Sequence, residues 1–252
     1  MLEFDKHLKI IGVVGIPDSV EDIDSIRRDL NALQEGGIDG LLIENLGDTP
    51  SSYRGDTVVA DFFRKTLEGI RAEISSKFGL CLLPHRPTYN TAVFQIAKDF
   101  GADFVWFDTL VDKVSPTYTP RRYEPLEINP NSRRILSQKT VPVFTEIQPR
   151  NFYRMLENKS IHQSAIEARR SGADSITVVR HDDCKEQTLD KVRAIVGPTY
   201  PLGITGKLDP TNVQQYIGRA QYAVIYGYFR ERGTHDRRVN PLRVRNLMAM
   251  VK

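Results

Sequence analysis

Three carboxylates stand at the ends of short apolar runs: Glu44 after Gly40-Leu41-Leu42-Ile43, Asp108 after Phe104-Val105-Trp106-Phe107, and Glu146 after Val143-Phe144-Thr145. Such a run reads as a strand buried on both faces, so a charge at its end has lost most of its water and must face a partner or a cavity. Brought together, these acids can exchange protons with a substrate or hold magnesium through hard oxygen ligands. Kept apart, they are ion-paired or surface groups with no common task. His181, directly after the run at 175–180, is a fourth acid/base candidate because imidazole titrates near neutrality.

A second constellation suits an anion. Gly203-Ile204-Thr205-Gly206 closes one apolar run and Tyr226-Gly227-Tyr228 lies in the next, with the helix-start signal Asp209-Pro210-Thr211-Asn212 between them. Glycines at strand ends let phosphate approach backbone N–H groups, and a nearby helix N-terminus adds a favourable dipole. Thr205, Gly206 and Gly227, with Asn45 beside Glu44 and Arg230 downstream, are therefore the expected ligands of a small phosphorylated molecule. No strand is expected to contain a lysine, and Lys207 is the nearest to a strand end, which argues against a Schiff-base mechanism. No G-x-S-x-G nucleophile elbow occurs.

The elements that must position these groups alternate along the chain. Apolar runs at 10–15, 40–44, 78–84, 103–109, 140–147, 175–180, 201–205 and 221–228 read as eight strands. Between them lie helical periodicities at 22–34, 57–75, 90–99, 161–170 and 188–195, with a last amphipathic helix at 242–251. In the first, Ile23, Ile26, Leu30 and Leu33 form one apolar stripe, and Gly36-Gly37 supplies the positive φ that ends a helix. The helix exits Gly36-Gly37-Ile38-Asp39-Gly40, Gly101-Ala102-Asp103 and Gly172-Ala173-Asp174 resemble one another, as repeated β/α units require. Eight such units in 252 residues predict a single-domain α/β chain folded as a (β/α)8 TIM barrel. The alternative, an open doubly wound sheet, lacks a glycine-rich dinucleotide fingerprint after its first strand. Residues 113–131, with Pro116, Pro120, Pro125 and Pro130, form a connection longer than usual, read as a lid, a partner surface or an irregular excursion.

Composition narrows the partners. Thirty-five basic against 32 acidic residues leave a net charge of +3, too small a surplus to predict nucleic-acid binding, although arginines cluster at 230, 232, 237, 238, 243 and 245. No run approaches the ~18 apolar residues of an integral membrane segment. Cys81 and Cys184 are the only cysteines and stand in no metal-ligand spacing, so they read as reduced thiols of a cytoplasmic protein, and no residue is assigned as a metal ligand. The last helix and Phe62-Phe63 offer surfaces on which a homo-oligomer can pair, or simple core packing.

From residue 36 to residue 50, GGIDGLLIENLGDTP, the chain resembles the BtpA family. Its tail agrees, where Tyr228-Phe229-Arg230-Glu231-Arg232-Gly233 is followed by Val239-Asn240-Pro241-Leu242-Arg243-Val244-Arg245-Asn246-Leu247-Met248. The resemblance implies a TIM-type barrel related to phosphate-binding barrels. It also implies a family named for a cyanobacterial member needed for photosystem I accumulation, with members in organisms without photosynthesis. Two readings follow: an older metabolic activity of unknown reaction and cofactor, or a non-catalytic assembly factor of the photosystem I biogenesis type. The sequence departs from the family pattern at Gly15-Ile16-Pro17, where His-Leu-Pro is usual. It departs again at Glu146-Ile147-Gln148, where an Asp-x-His type pattern is common, and at Ile204-Thr205-Gly206, where Gly-Ser-Gly is expected.

Overall fold

Eight runs of mainly β-branched and aromatic residues form parallel strands: β1 (Lys9–Gly15), β2 (Gly40–Glu44), β3 (Lys77–Cys81), β4 (Phe104–Phe107), β6 (Val143–Ile147), β8 (Ser175–Val179), β9 (Leu202–Thr205) and β10 (Tyr222–Ile225). In the computed structural model they close in the order β1-β10-β9-β8-β6-β4-β3-β2, the expected barrel. Two further strands, β5 (Val114–Pro116) and β7 (Tyr153–Met155), pair antiparallel as a separate ribbon. Among the described residues the helices are α1 (Ile23–Glu35), α2 (Asp56–Ile70), α3 (Ala92–Phe100), α4 (Ser132–Leu136), α5 (Ile161–Ser171), α6 (Glu186–Val196) and α7 (Pro241–Val251). The structure describes residues 7–16, 23–45, 56–83, 91–117, 127–149, 153–179, 186–231 and 238–252, and His181 lies outside them.

The recurring Gly-x-Asp at the helix exits has a mechanical reason. Gly37, Gly101 and Gly172 take φ of 85°, 69° and 97°, the left-handed turn that ends each helix. The aspartate two residues on then clamps the strand before the helix to the strand after it. Asp39 Oδ2 accepts from Ile10 N at 2.8 Å, Asp103 Oδ2 from Phe78 N at 3.2 Å and Asp174 Oδ2 from Val143 N at 2.6 Å. Each aspartate amide donates back, to Ile10 O, Phe78 O and Val143 O. Lys9, Lys77 and Lys139 pair with the same three carboxylates. Two lysines therefore do lie in strands, contrary to the sequence expectation. They open β1 and β3 at the N-terminal end of the barrel, so neither amine reaches the opposite mouth to form a Schiff base there.

Inside the ring, Phe104, Phe144 and Tyr222 stack with centroids 4.5 and 5.4 Å apart, and this aromatic plug fills the floor. Gly79 and Gly203 make room for it: a Cβ at Gly79 would come within 2.1 Å of the Phe104 ring, and one at Gly203 within 2.2 Å of the Tyr222 ring. The buried Tyr222 hydroxyl lies 2.7 Å from both Ser175 Oγ and Thr177 Oγ1, and burial pushes its pKa up. Tyr222→Phe is expected to lower unfolding free energy by about 1 kcal/mol, read by urea melts, because two buried hydroxyls lose a shared partner while packing is kept.

Two connections differ from expectation. The described residues of 113–131 carry structure: β5 pairs with β7, Val114 bridges to Ile128, and α4 begins at Ser132 with Asn131 as its N-cap. Alternation over three residues is too short to signal a strand, and Pro116 hides it further. After Asp209-Pro210 the chain forms only a short 3-10 turn, Val213–Tyr216, in place of an α-helix. Asp209 Oδ1 accepts from Thr211 N at 2.8 Å in the turn ahead of it, but Asn212, the residue before the 3-10 turn, gives no side-chain cap, and the segment is too brief to propagate a helix.

Candidate functional site

Side chains alternate across each strand, so the inward positions can be counted upward from the plug. The inward apolar cluster contains Ile11 and Val13 of β1, Leu42 of β2, Cys81 of β3, Trp106 of β4, Phe144 of β6 and Val224 of β10. Two residues beyond Leu42, Trp106 and Phe144 come Glu44, Asp108 and Glu146, which therefore face the C-terminal mouth from the ends of β2, β4 and β6, with β3 between the first two. Register fixes their level: Glu44 pairs with Cys81 across β2 and β3, and Glu146 pairs with Thr177 across β6 and β8. All three acids retain a minor share of exposed surface, as a site open to a ligand requires, whereas Cys81 is fully buried.

The acids act on one another. Burial, and after it the charge of Asp108, pushes the Glu44 carboxyl well above the usual carboxylate range. Burial followed by Asp108 and Glu44 does the same to Glu146. Asp108 is raised by burial in spite of two donors that favour its charged form, the Tyr153 hydroxyl at 2.5 Å and the Trp106 indole N–H. The Cys81 thiol is raised by burial and then by Asp108, Glu44 and Glu146. Among the described residues, no positively charged side chain bears on any of the three carboxyls. One ligand atom each from Glu44, Cys81 and Asp108 lies within 4.8 Å of the others. The arrangement can thus store a proton or surround a cation.

Sequence reasoning missed three residues here. The sequence presents Cys81 only as a reduced thiol, although simple alternation puts it on the same face of β3 as Gly79. Tyr153, which reaches Asp108 from the β5–β7 ribbon, left no local signal. Asp112 is the third: fully buried, it accepts from Gln148 N at 2.7 Å and from Ser164 Oγ at 2.6 Å, and it sits 3.6 Å from Lys159 Nζ. It joins the turn after β4 to the turn after β6 and to α5, and so supports Asp108 and Glu146 without touching them.

The anion constellation is partly assembled. β9 and β10 pair with Thr205 opposite Val224, which sets Gly206, at φ 89°, and the 3-10 turn Gly227–Phe229 on adjacent strand ends. Thr205 Oγ1 donates to Val224 O at 3.2 Å. Asn45 is fully buried and its Oδ1 accepts from Leu83 N at 2.6 Å, tying the ends of β2 and β3. Arg230 is 4% exposed, pairs with Asp29 of α1 at 2.7 Å and covers the Tyr226 ring at 4.4 Å. Arg243 donates to Arg230 O and lies over the Tyr228 ring. Two of the late arginines are therefore built into the barrel closure between β10, α1 and α7.

A family model described as the BtpA family matches residues 12–252. The chain belongs to the BtpA family. Among curated relatives, the uncharacterized protein MJ1115 of Methanocaldococcus jannaschii is 24% identical over 194 residues, which cover 74% of this BtpA-family chain and 70% of the relative. Among solved structures, tryptophan synthase from M. tuberculosis in its aminoacrylate- and BRD0059-bound form superposes with TM-score 0.62 at 12% identity. The match covers 98% of this chain and 93% of that one. A protein from Aquifex aeolicus VF5 gives TM-score 0.64 at 9% identity, covering 98% and 95%. At such identities the structural matches show the shared barrel fold alone. Among the described residues of the BtpA-family chain, no helix is long and apolar enough to cross a membrane.

Proposed function

We propose that this BtpA-family barrel is a cytoplasmic enzyme acting on a small phosphorylated metabolite, with proton transfer at the mouth as its chemistry. The single observation that carries the reading is the convergence of Glu44, Asp108 and Glu146, from β2, β4 and β6, on one end of the ring. A charge cluster without a neutralising side chain among the described residues opposes folding, so its presence is better explained by work on a ligand than by architecture. In this reading the three carboxyls hold and transfer protons, with His181 as a further acid/base candidate. The phosphate lies at Gly206 and Gly227 beside Thr205. Asn45 and Arg230 serve the site by fixing the strand ends around it.

Thermal-shift measurements with a panel of phosphorylated sugars and nucleotides test this. At least one compound is expected to raise the melting temperature in a saturable way, because a ligand that binds only the folded state adds stability by mass action. Gly206→Asp, which places a carboxylate where the phosphate would sit, is expected to abolish that rise while leaving the fold intact by circular dichroism. A panel without any response overturns the reading. If, in addition, a partner is captured through residues 113–131, the assembly-factor reading takes its place.

A further inference from the structure

The geometry points to a binding site for a divalent cation of the zinc type formed by Glu44, Cys81 and Asp108. It rests on the same carboxyls as the proposed function but not on the class of substrate.

Three donors from three adjacent strand ends lie within 4.8 Å of one another. Zinc bonds of ~2.0–2.3 Å at a tetrahedral angle place donor atoms about 3.4–3.7 Å apart, so rotamer-scale contraction closes the trio around an ion. Acids alone would not argue for a metal. The independent observation is the sulfur: Cys81 is 0% exposed, and its Sγ makes no hydrogen bond to any described residue while lying within 4.8 Å of two carboxylates. A thiol kept only for packing gains nothing from that neighbourhood, whereas a thiolate ligand does.

Donor chemistry selects the ion. Magnesium prefers near-octahedral oxygen ligands and retains several waters, and a thiolate in the set shifts preference toward zinc and its softer neighbours. Three protein ligands leave a further coordination position open toward the mouth, the pattern of catalytic rather than structural zinc. Asp108 also carries the outer support that ligating carboxylates usually have, from the Tyr153 hydroxyl and the Trp106 indole. Glu146 remains outside the trio, beside the open position, where it can serve as the proton-transfer group.

The test uses the full chain, stripped with a chelator and titrated with Zn2+, Mg2+ and Co2+ in the absence of substrate. A single Zn2+ per chain is expected to bind far more tightly than Mg2+, and Co2+ is expected to give the near-ultraviolet thiolate-to-cobalt charge-transfer band. Cys81→Ser should lose that band, and Cys184→Ser should keep it. Glu44→Gln, which retains the thiol, should weaken Zn2+ binding roughly tenfold or more with the circular dichroism spectrum unchanged. A band that survives Cys81→Ser, zinc binding no stronger than magnesium binding, or no metal uptake at all would overturn the inference. Because no substrate is present, failure here together with a thermal response to a phosphorylated compound removes the metal alone. The reverse pattern removes the substrate class alone.

Discussion

Glu44→Gln is expected to make the metal-free protein more stable at neutral pH, by about 3 kcal/mol. Two unit charges 4.8 Å apart at an effective dielectric of ~20 repel by about 3 kcal/mol, and Glu44 and Asp108 lie within that separation. Burial adds to this penalty and proton uptake removes part of it. The pH dependence fixes the sign. Glu44 has a folded pKa above the ordinary value of 4.5, so the folded state binds its proton more tightly than the unfolded state does. Acid therefore favours folding through this group, and that contribution is lost as pH rises above about 4.5 toward the raised folded value. Urea melts in chelator at about pH 4 and about pH 7.5 should show parent and variant converging at the lower pH and separating at the higher. Equal stability at the higher pH would mean that a positive partner already neutralises Glu44, and the cluster would lose its claim to function. A gain in stability joined to a loss of Zn2+ binding is the signature of a site maintained against folding.

The barrel was legible because its signals are local and repeated. Continuous apolar runs, left-handed glycines and the Gly-x-Asp exits each mark a β/α unit, and eight units leave few topologies open. Glu44, Asp108 and Glu146 were legible for the same reason, since a strand end in a parallel barrel faces the mouth. What stayed hidden depends on contacts between distant segments. Cys81 becomes a neighbour of Glu44 only through the register of β2 on β3, and Tyr153 reaches Asp108 only through the ribbon with β5. Arg230 shows the same dependence. Its place in an arginine-rich tail points to an anion ligand, and nothing in that tail reveals that the fold also brings Asp29 against it from the first helix, far away in sequence. Charge alone does not reveal which cations are already spoken for.

Asp112 is a sharper example, and its removal carries the largest expected cost. Asp112→Ala is expected to lower unfolding free energy by about 3–5 kcal/mol, the scale for breaking a buried charged network by deleting one partner. Its two oxygens divide the work: Oδ2 accepts from Gln148 N, while Oδ1 accepts from Ser164 Oγ and faces Lys159 Nζ. Gln148 holds a φ of 49°, uncommon for a residue with a side chain, and the bond to Asp112 is one restraint that keeps it there. The Lys159 ammonium, 9% exposed, would retain Glu167 at 2.5 Å and Val111 O at 2.7 Å, but Glu167 is half exposed and leaves the inner side of the charge unanswered. Asp112→Asn separates shape from charge. An amide can accept at Oδ2 or at Oδ1 but not at both, so it should cost less than alanine and more than a surface change. Chemical denaturation should show a lower midpoint with unchanged slope for both variants. Gln148 follows Glu146 by two residues, so the released turn also frees a carboxyl of the mouth. Any thermal response to a phosphorylated ligand should therefore weaken in Asp112→Ala beyond what its lower stability accounts for, and less so in Asp112→Asn. An alanine variant that unfolds at the parent's midpoint would show that the turns after β4 and β6 are held by something other than this carboxylate.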